Sequence, residues 1–178
     1  NSERTATASW GIGWAYQQLS DFPNALEYLN QALALYEKIG NKAGVANMYT
    51  KLGSVYHQFS DLSHALEYYN RALTLYEELG DKQEIAGNIC NIGMVYDDLS
   101  DYPRALEYFN KALTLAQEIG HLSYIGNTYT NLGVLYSTLS DYTKSFECHY
   151  KSLAIAEEIN NKRLIASNTL NIGDNYRI

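Results

Sequence analysis

The chain is 178 residues long, and 46% of it is hydrophobic, enough to build a core, which excludes intrinsic disorder. A formal net charge of −7 excludes a phosphate-binding, nucleic-acid-facing surface, and no apolar run approaches the roughly 18 residues that a bilayer-spanning helix needs, which excludes a membrane segment. Two cysteines, Cys90 and Cys148, are too few for a disulfide framework or a four-ligand zinc site. Lone cysteines fit a reducing cytoplasm, and Asn1 in place of an initiator methionine points to a piece of a longer polypeptide.

Along the chain the same phrases return every forty residues. Gly13, Gly53, Gly93, Gly133 and Gly173 keep that step, and Tyr16, Tyr56, Tyr96, Tyr136 and Tyr176 follow each glycine by three. Ser20-Asp21, Ser60-Asp61, Ser100-Asp101 and Ser140-Asp141 recur in register. So does Ala25-Leu-Glu-Tyr, which decays to Ser145-Phe146-Glu147-Cys148. Only a tandem array produces this.

Each copy reads as two helices. In the third, Ile85, Ile89, Ile92, Tyr96 and Leu99 form one apolar stripe at alternating steps of four and three. Ser100-Asp101 supplies a short polar cap, and Pro103, like Pro23, falls in the first turn of the next helix. That helix carries Leu106, Phe109, Leu113 and Ile119 and stops at Gly120; Gly40, Gly80 and Asn160 hold the same place. The predicted pairs are 5–19/22–39, 43–59/62–79, 83–99/102–119 and 123–139/142–159, followed by one helix over 163–176. The repeats then run 5–40, 43–80, 83–120 and 123–160 within a single array over 1–178. The fold class is all-α, a solenoid of antiparallel hairpins.

Glycine inside a helix costs about 1 kcal/mol relative to alanine, so its recurrence requires a return. Close approach is the expected one: the small Ala25 and Ala32 columns lie against the glycines and Leu33, Leu73, Leu113 and Leu153 fill the space beside them. Gly93→Ala is therefore expected to destabilise by overpacking.

The phrases Gly13-x-x-Tyr16 with Ala25-x-x-x-Leu29 and Ala32, then Gly53…Tyr56…Ala65…Tyr69…Ala72 and Gly93…Tyr96…Ala105…Phe109…Ala112, resemble the tetratricopeptide repeat. The likeness covers essentially the whole chain. It departs from the usual 34-residue form in being longer and in carrying Glu37, Glu77, Gln117 and Glu157 where proline is usual. The resemblance implies a right-handed superhelix whose first helices line a concave groove that holds an extended peptide or a helical segment of another protein. It also implies an alternative, a regulatory or sensor module of a larger signalling protein; the unpaired last helix gives a second, a self-associating array.

The positions opposite the apolar stripe would face such a groove: Trp10, Trp14, Asn47, Lys51, His57, Cys90, Asn91, Met94, Asp97, Asn127, Asn131 and Asn171. Asn91, Asn131 and Asn171 share one register, with Lys51 in that place one repeat earlier. Each amide both donates and accepts, so the three form a candidate ladder for a peptide backbone. Asp97 and Asp98 favour a basic or neutral ligand over an acidic one. Trp10 and Trp14 read either as an aromatic anchor or as a lid on the first hairpin's core.

Nothing here reads as an enzyme. His57, His64, His121 and His149 fall at different registers, and no phosphate loop or nucleophile turn occurs, so no catalytic residue, metal or cofactor is expected. The expected partner is a protein or peptide, with no nucleic acid and no membrane, and with weak self-association through the last helix, whose Ile165, Ile172 and Tyr176 lack a neighbour. His149, Ser145, Cys148 and Ser152 replace better-packing residues and predict fraying at that end.

Overall fold

The computed structural model describes residues 2–177. Among them every regular element is a helix: α1 (Ser2–Gln18), α2 (Phe22–Lys38), α3 (Lys42–Gln58), α4 (Leu62–Leu79), α5 (Lys82–Asp98), α6 (Tyr102–Glu118), α7 (Leu122–Thr138), α8 (Tyr142–Glu158) and α9 (Lys162–Asn175). Helix ends lie within one residue of the predicted ones except at α1, which starts at Ser2 rather than residue 5. Leu99, placed on the apolar stripe of α5, lies past its end and is half exposed, because the helix has already turned into its cap. No helix among the described residues is long and apolar enough to cross a membrane. The chain divides into two compact units, one reaching to Asn88 and the other starting at Ile89, so that the division falls inside α5. In the first, α1 packs on α2, α2 on α3 and α3 on α4; in the second, α6 packs on α7, α7 on α8 and α8 on α9.

Two turn designs alternate. Within a hairpin the first helix closes in a Schellman motif, for example Asp61 N–H donating to Tyr56 O at 2.9 Å and Ser60 N–H to His57 O at 2.9 Å. This puts Ser20, Ser60, Ser100 and Ser140 in the left-handed region, at φ 57°, 63°, 59° and 60°. The serines thus close the preceding helix, and only the aspartates cap the next: the Asp101 carboxylate accepts from Arg104 N–H at 3.2 Å. Between hairpins the left-handed residue is Gly40, Gly80, Gly120 or Asn160. The caps there are Asn41, His121 and Asn161, whose side chains accept from the amides of Gly44, Tyr124 and Leu164, and Asp81, which accepts from Glu84 N–H. His121 caps through Nδ1, so that nitrogen carries no proton.

The glycine column does allow close approach, with a correction to what fills the space. A Cβ on Gly13 would lie 3.2 Å from Ala25 O but 3.0 Å from Leu29 Cγ; on Gly53 it would meet the Tyr69 ring at 2.8 Å, and on Gly93 the Phe109 ring at 2.8 Å. The alanines let the backbones converge, and the large residue four positions later occupies the gap. Beside these contacts the tyrosine column stacks on the second helix: Tyr16 on Tyr28 at 5.6 Å, Tyr56 on Tyr68 at 5.4 Å, Tyr96 on Tyr108 at 5.3 Å. Arg104 and Lys144 lie over the Tyr96 and Tyr136 rings at 4.8 and 5.3 Å.

Candidate partner-binding surface

Several positions that helical spacing assigns to an open face are instead consumed in joining one leading helix to the next. Thr50 Oγ1 donates to Asn88 Oδ1 at 3.0 Å, Thr128 Oγ1 lies 3.8 Å from Cys90 Sγ, and Thr130 Oγ1 donates to Asn168 Oδ1 at 3.2 Å. All three pairs are thirty-eight residues apart. One turn or two further along, Gln17 Nε2 donates to Ser54 Oγ at 3.0 Å and Ser137 Oγ to Asn175 Oδ1 at 2.6 Å. Leading helices are therefore stitched by a buried polar seam: Asn88, Thr128 and Asn168 are each at most 2% exposed. Buried amides and hydroxyls persist only when their bonds are made, and here each one is.

What stays open lies to one side of that seam. In the second unit Asn91 on α5, Asn131 on α7 and Asn171 on α9 are half-buried, at the same register. Met94 and Val134, three positions later, are exposed, as are Asn127 and Leu170. Asn131 Nδ2 donates to Cys90 Sγ at 3.3 Å. Cys90 is inert at neutral pH, since burial pushes its thiol up. Burial, and then the neighbouring Asp98, also raise the Asp97 carboxyl. In the first unit Lys51, Asn47 and His57 are half-buried, and Asn47 and Thr50 both hydrogen-bond the Tyr76 hydroxyl, whose pKa burial pushes up to about 12. Asn47 is thereby tied to α4. The two tryptophans divide: Trp10 packs into the core of Leu29, Leu52 and Val55, whereas Trp14 is 52% exposed.

The hairpin α7–α8 and the helix α9 hold a bonded polar core where the sequence predicts weak packing and fraying. His149 is fully buried, its ring against Gly133, where a Cβ would approach to 2.6 Å. His149 Nδ1 pairs with Asn168 Oδ1 at 2.9 Å. Asn168 Nδ2 donates to Ser152 Oγ at 2.8 Å and Leu164 O at 2.9 Å, so its oxygen faces the ring and the imidazole proton sits on Nδ1. Ser152 Oγ and Ser145 Oγ donate in turn to the carbonyls of Gly126 and Gly133, and Asn175 Nδ2 donates to Ser145 Oγ. The small polar residues are a satisfied network. They could not be recognised because their partners are twelve to thirty residues away in sequence.

Burial lowers the His149 pKa below its ordinary 6.5, and the Asn168 bond only partly offsets this. Charging the ring would add a second N–H at Nε2, a buried atom with no partner among the described residues. A base whose folded pKa is depressed binds fewer protons than the unfolded chain, so its neutral form supports stability above pH 6.5 and that support is lost as pH falls through and below it. Parallel urea titrations between about pH 8 and pH 5 should show His149→Phe losing less stability than the parent. Equal losses would remove His149 as the titrating group, since the acid-sensitive cap at Asp141, lowered by Lys144, is common to both proteins.

No curated protein sequence matches the chain. The tetratricopeptide repeat family model matches residues 4–78, 44–118 and 83–158. Among solved structures, aspartyl phosphate phosphatase F from Bacillus subtilis is 16% identical with a TM-score of 0.89, over 96% of this chain and 45% of that one. The Rap conjugation gene regulator of the plasmid pLS20, in complex with the Phr* peptide, is 18% identical with a TM-score of 0.85, over 95% and 46%. A signal transduction ATPase with a tetratricopeptide repeat sensor, from Pyrococcus horikoshii, is 20% identical with a TM-score of 0.84, over 99% and 28%. At these identities the likeness is one of fold, an all-α helical solenoid, and the chain spans less than half the length of each of the three.

Proposed function

The chain belongs to the tetratricopeptide repeat family, and from that premise we propose that it is a non-catalytic interaction module that holds a peptide or helical segment of another protein on the open strip of its leading helices. The observation that carries this reading is the register of Asn91, Asn131 and Asn171 in the second unit. All three residues stay half exposed, though Asn131 spends one N–H on Cys90, while the positions beside them are used up in helix-to-helix bonds. Amides at successive repeats pair with a peptide backbone whatever its side chains, and the exposed Met94 and Val134 add apolar contact. Asp97, Asp98 and Asp174 favour a neutral or basic segment. The Phr* peptide bound to the pLS20 regulator supports a peptide as the class of ligand. Affinity capture from source lysate should recover a partner with the parent chain and lose it with the Asn91→Ala/Asn131→Ala double variant, the melting curve staying unchanged. Undiminished capture by that variant would overturn the ladder, and turnover of any substrate at this strip would overturn the non-catalytic reading.

A second reading, a sensor domain within a larger signalling protein, is favoured by the Pyrococcus horikoshii neighbour, of which this chain spans only 28%. Catalytic or DNA-binding sequence on either side of the chain in its parent polypeptide would decide for it.

A further inference from the structure

In the second unit the leading helices α5, α7 and α9 lie side by side, and direct side-chain contact fixes their spacing. Thr128 Oγ1 and Asn131 Nδ2 reach Cys90 Sγ at 3.8 and 3.3 Å. Across the next seam Thr130 Oγ1 donates to Asn168 Oδ1 at 3.2 Å and Ser137 Oγ to Asn175 Oδ1 at 2.6 Å. Helices packed at such range stand roughly 8–10 Å apart, axis to axis. Two rows cross them. The first is Asn91, Asn131 and Asn171; among the described residues the Asn91 and Asn171 side chains make no hydrogen bond, and Asn131 makes only the one to Cys90. The second row, three residues further along each helix, is Met94, Val134 and Asp174, all exposed. Residues three apart are neighbours on a helix surface, so the rows run in parallel.

This spacing discriminates between the backbones that a partner segment could bring. An α-helix repeats about every 5.4 Å and bonds its N–H and C=O groups internally, so an amide row finds nothing to pair with. A β-strand presents the same side every second residue, about 6.6 Å apart, out of step with the helices. A polyproline II segment turns once in three residues at about 3.1 Å each, so the same carbonyl direction and the same side-chain direction return at about 9 Å. None of its backbone groups is bonded internally. We infer that the strip takes a segment in the polyproline II conformation, one turn per leading helix, with large apolar side chains at i and i+3 against Met94 and Val134 and a cation at i+6 against Asp174. The threefold rod presents its groups in much the same way from either end, so the order is read in one chain direction or the other. Charge supports the cation: Asp174 meets only the exposed Arg177, at 3.8 Å, a pair that a ligand cation can replace, and Asp97 adds a further carboxyl beside Met94. The inference rests on the strip proposed above and adds the conformation and period of its ligand.

The probes are four labelled peptides: leucine at every third position with proline between and arginine at the end, the same sequence reversed, a strand former with leucine at every second position, and a helix former of leucine, alanine and lysine. Titrated with the whole chain, one of the two proline peptides should bind saturably and about tenfold or more tighter than the strand and helix formers. Val134→Gln should weaken that binding by about tenfold, and as an exposed position it should melt as the parent does. Replacing the arginine of the peptide by alanine should cost affinity with the parent and nothing with Asp174→Asn. Tighter binding of the strand or helix former, lost in Asn91→Ala/Asn131→Ala, would overturn the polyproline II inference and leave the strip standing. Saturable binding by none of the four would overturn it too. A proline peptide that binds Asn91→Ala/Asn131→Ala as it binds the parent would sink both the inference and the strip.

Discussion

Asn168→Ala is expected to destabilise the second unit by about 2–5 kcal/mol. Its side chain uses all of its bonding capacity: two donors to Ser152 and Leu164, two acceptor positions to His149 and Thr130. It is fully buried, so no water replaces the lost partners. Leaving a buried donor or acceptor unmade costs about 1–3 kcal/mol, and the truncation orphans the His149 Nδ1–H and strips the Ser152 hydroxyl of its Asn168 donor. Asn88, the residue at the same register one unit earlier, gives the comparison. It is equally buried but donates only to Glu84 O and accepts only from Thr50, so Asn88→Ala should cost less. Native-state hydrogen exchange should show α9 losing protection first in Asn168→Ala, because that side chain joins α9 to both α7 and α8. If Asn88→Ala proves the more damaging of the two in a denaturant titration, the network around His149 is not what holds α9.

Gly93→Ala and Gly173→Ala should move stability in opposite directions although the residues stand in one sequence column. Alanine is the better helix former by about 1 kcal/mol at either place. At Gly93 the added methyl would lie 2.8 Å from Cδ1 and Cε1 of Phe109 and 3.3 Å from Cβ of Tyr108. Phe109 is 1% exposed and packed with Leu132 and Leu135, so its ring has nowhere to retreat. Overpacking of this kind costs about 1–3 kcal/mol, which outweighs the propensity gain. At Gly173 no atom stands in the way, and the propensity term acts alone. Thermal melts of both variants test the pair; a more stable Gly93→Ala would refute the packing account of the column, and a destabilised Gly173→Ala would refute the open one.

The same contrast shows how far the sequence reaches. The forty-residue period, the helices and the left-handed glycines were legible, because each depends on residues a few positions apart along one helix or turn. Serine in the left-handed region at Ser60 or Ser100 was not, since serine next to aspartate reads equally well as the start of a cap. The open asparagine strip was legible as a register. Its boundary was not: Thr50 and Thr130 have the same helical phase as a groove residue, and only the arrival of Asn88 and Asn168 from the following helix turns them inward.

Sequence alone thus determined that this is a tandem array of helical hairpins, because helix periodicity and capping are set by short-range sterics and bonding that every repeat carries within itself. Tertiary structure alone decided what each recurring residue faces. Gly133 meets an imidazole, Gly173 meets nothing, and Ser145 and Ser152 close a polar core. The physical reason is that a side chain's neighbours across a helix interface come from another part of the chain, and whether they supply a ring, a hydroxyl or open space is not encoded in the side chain itself.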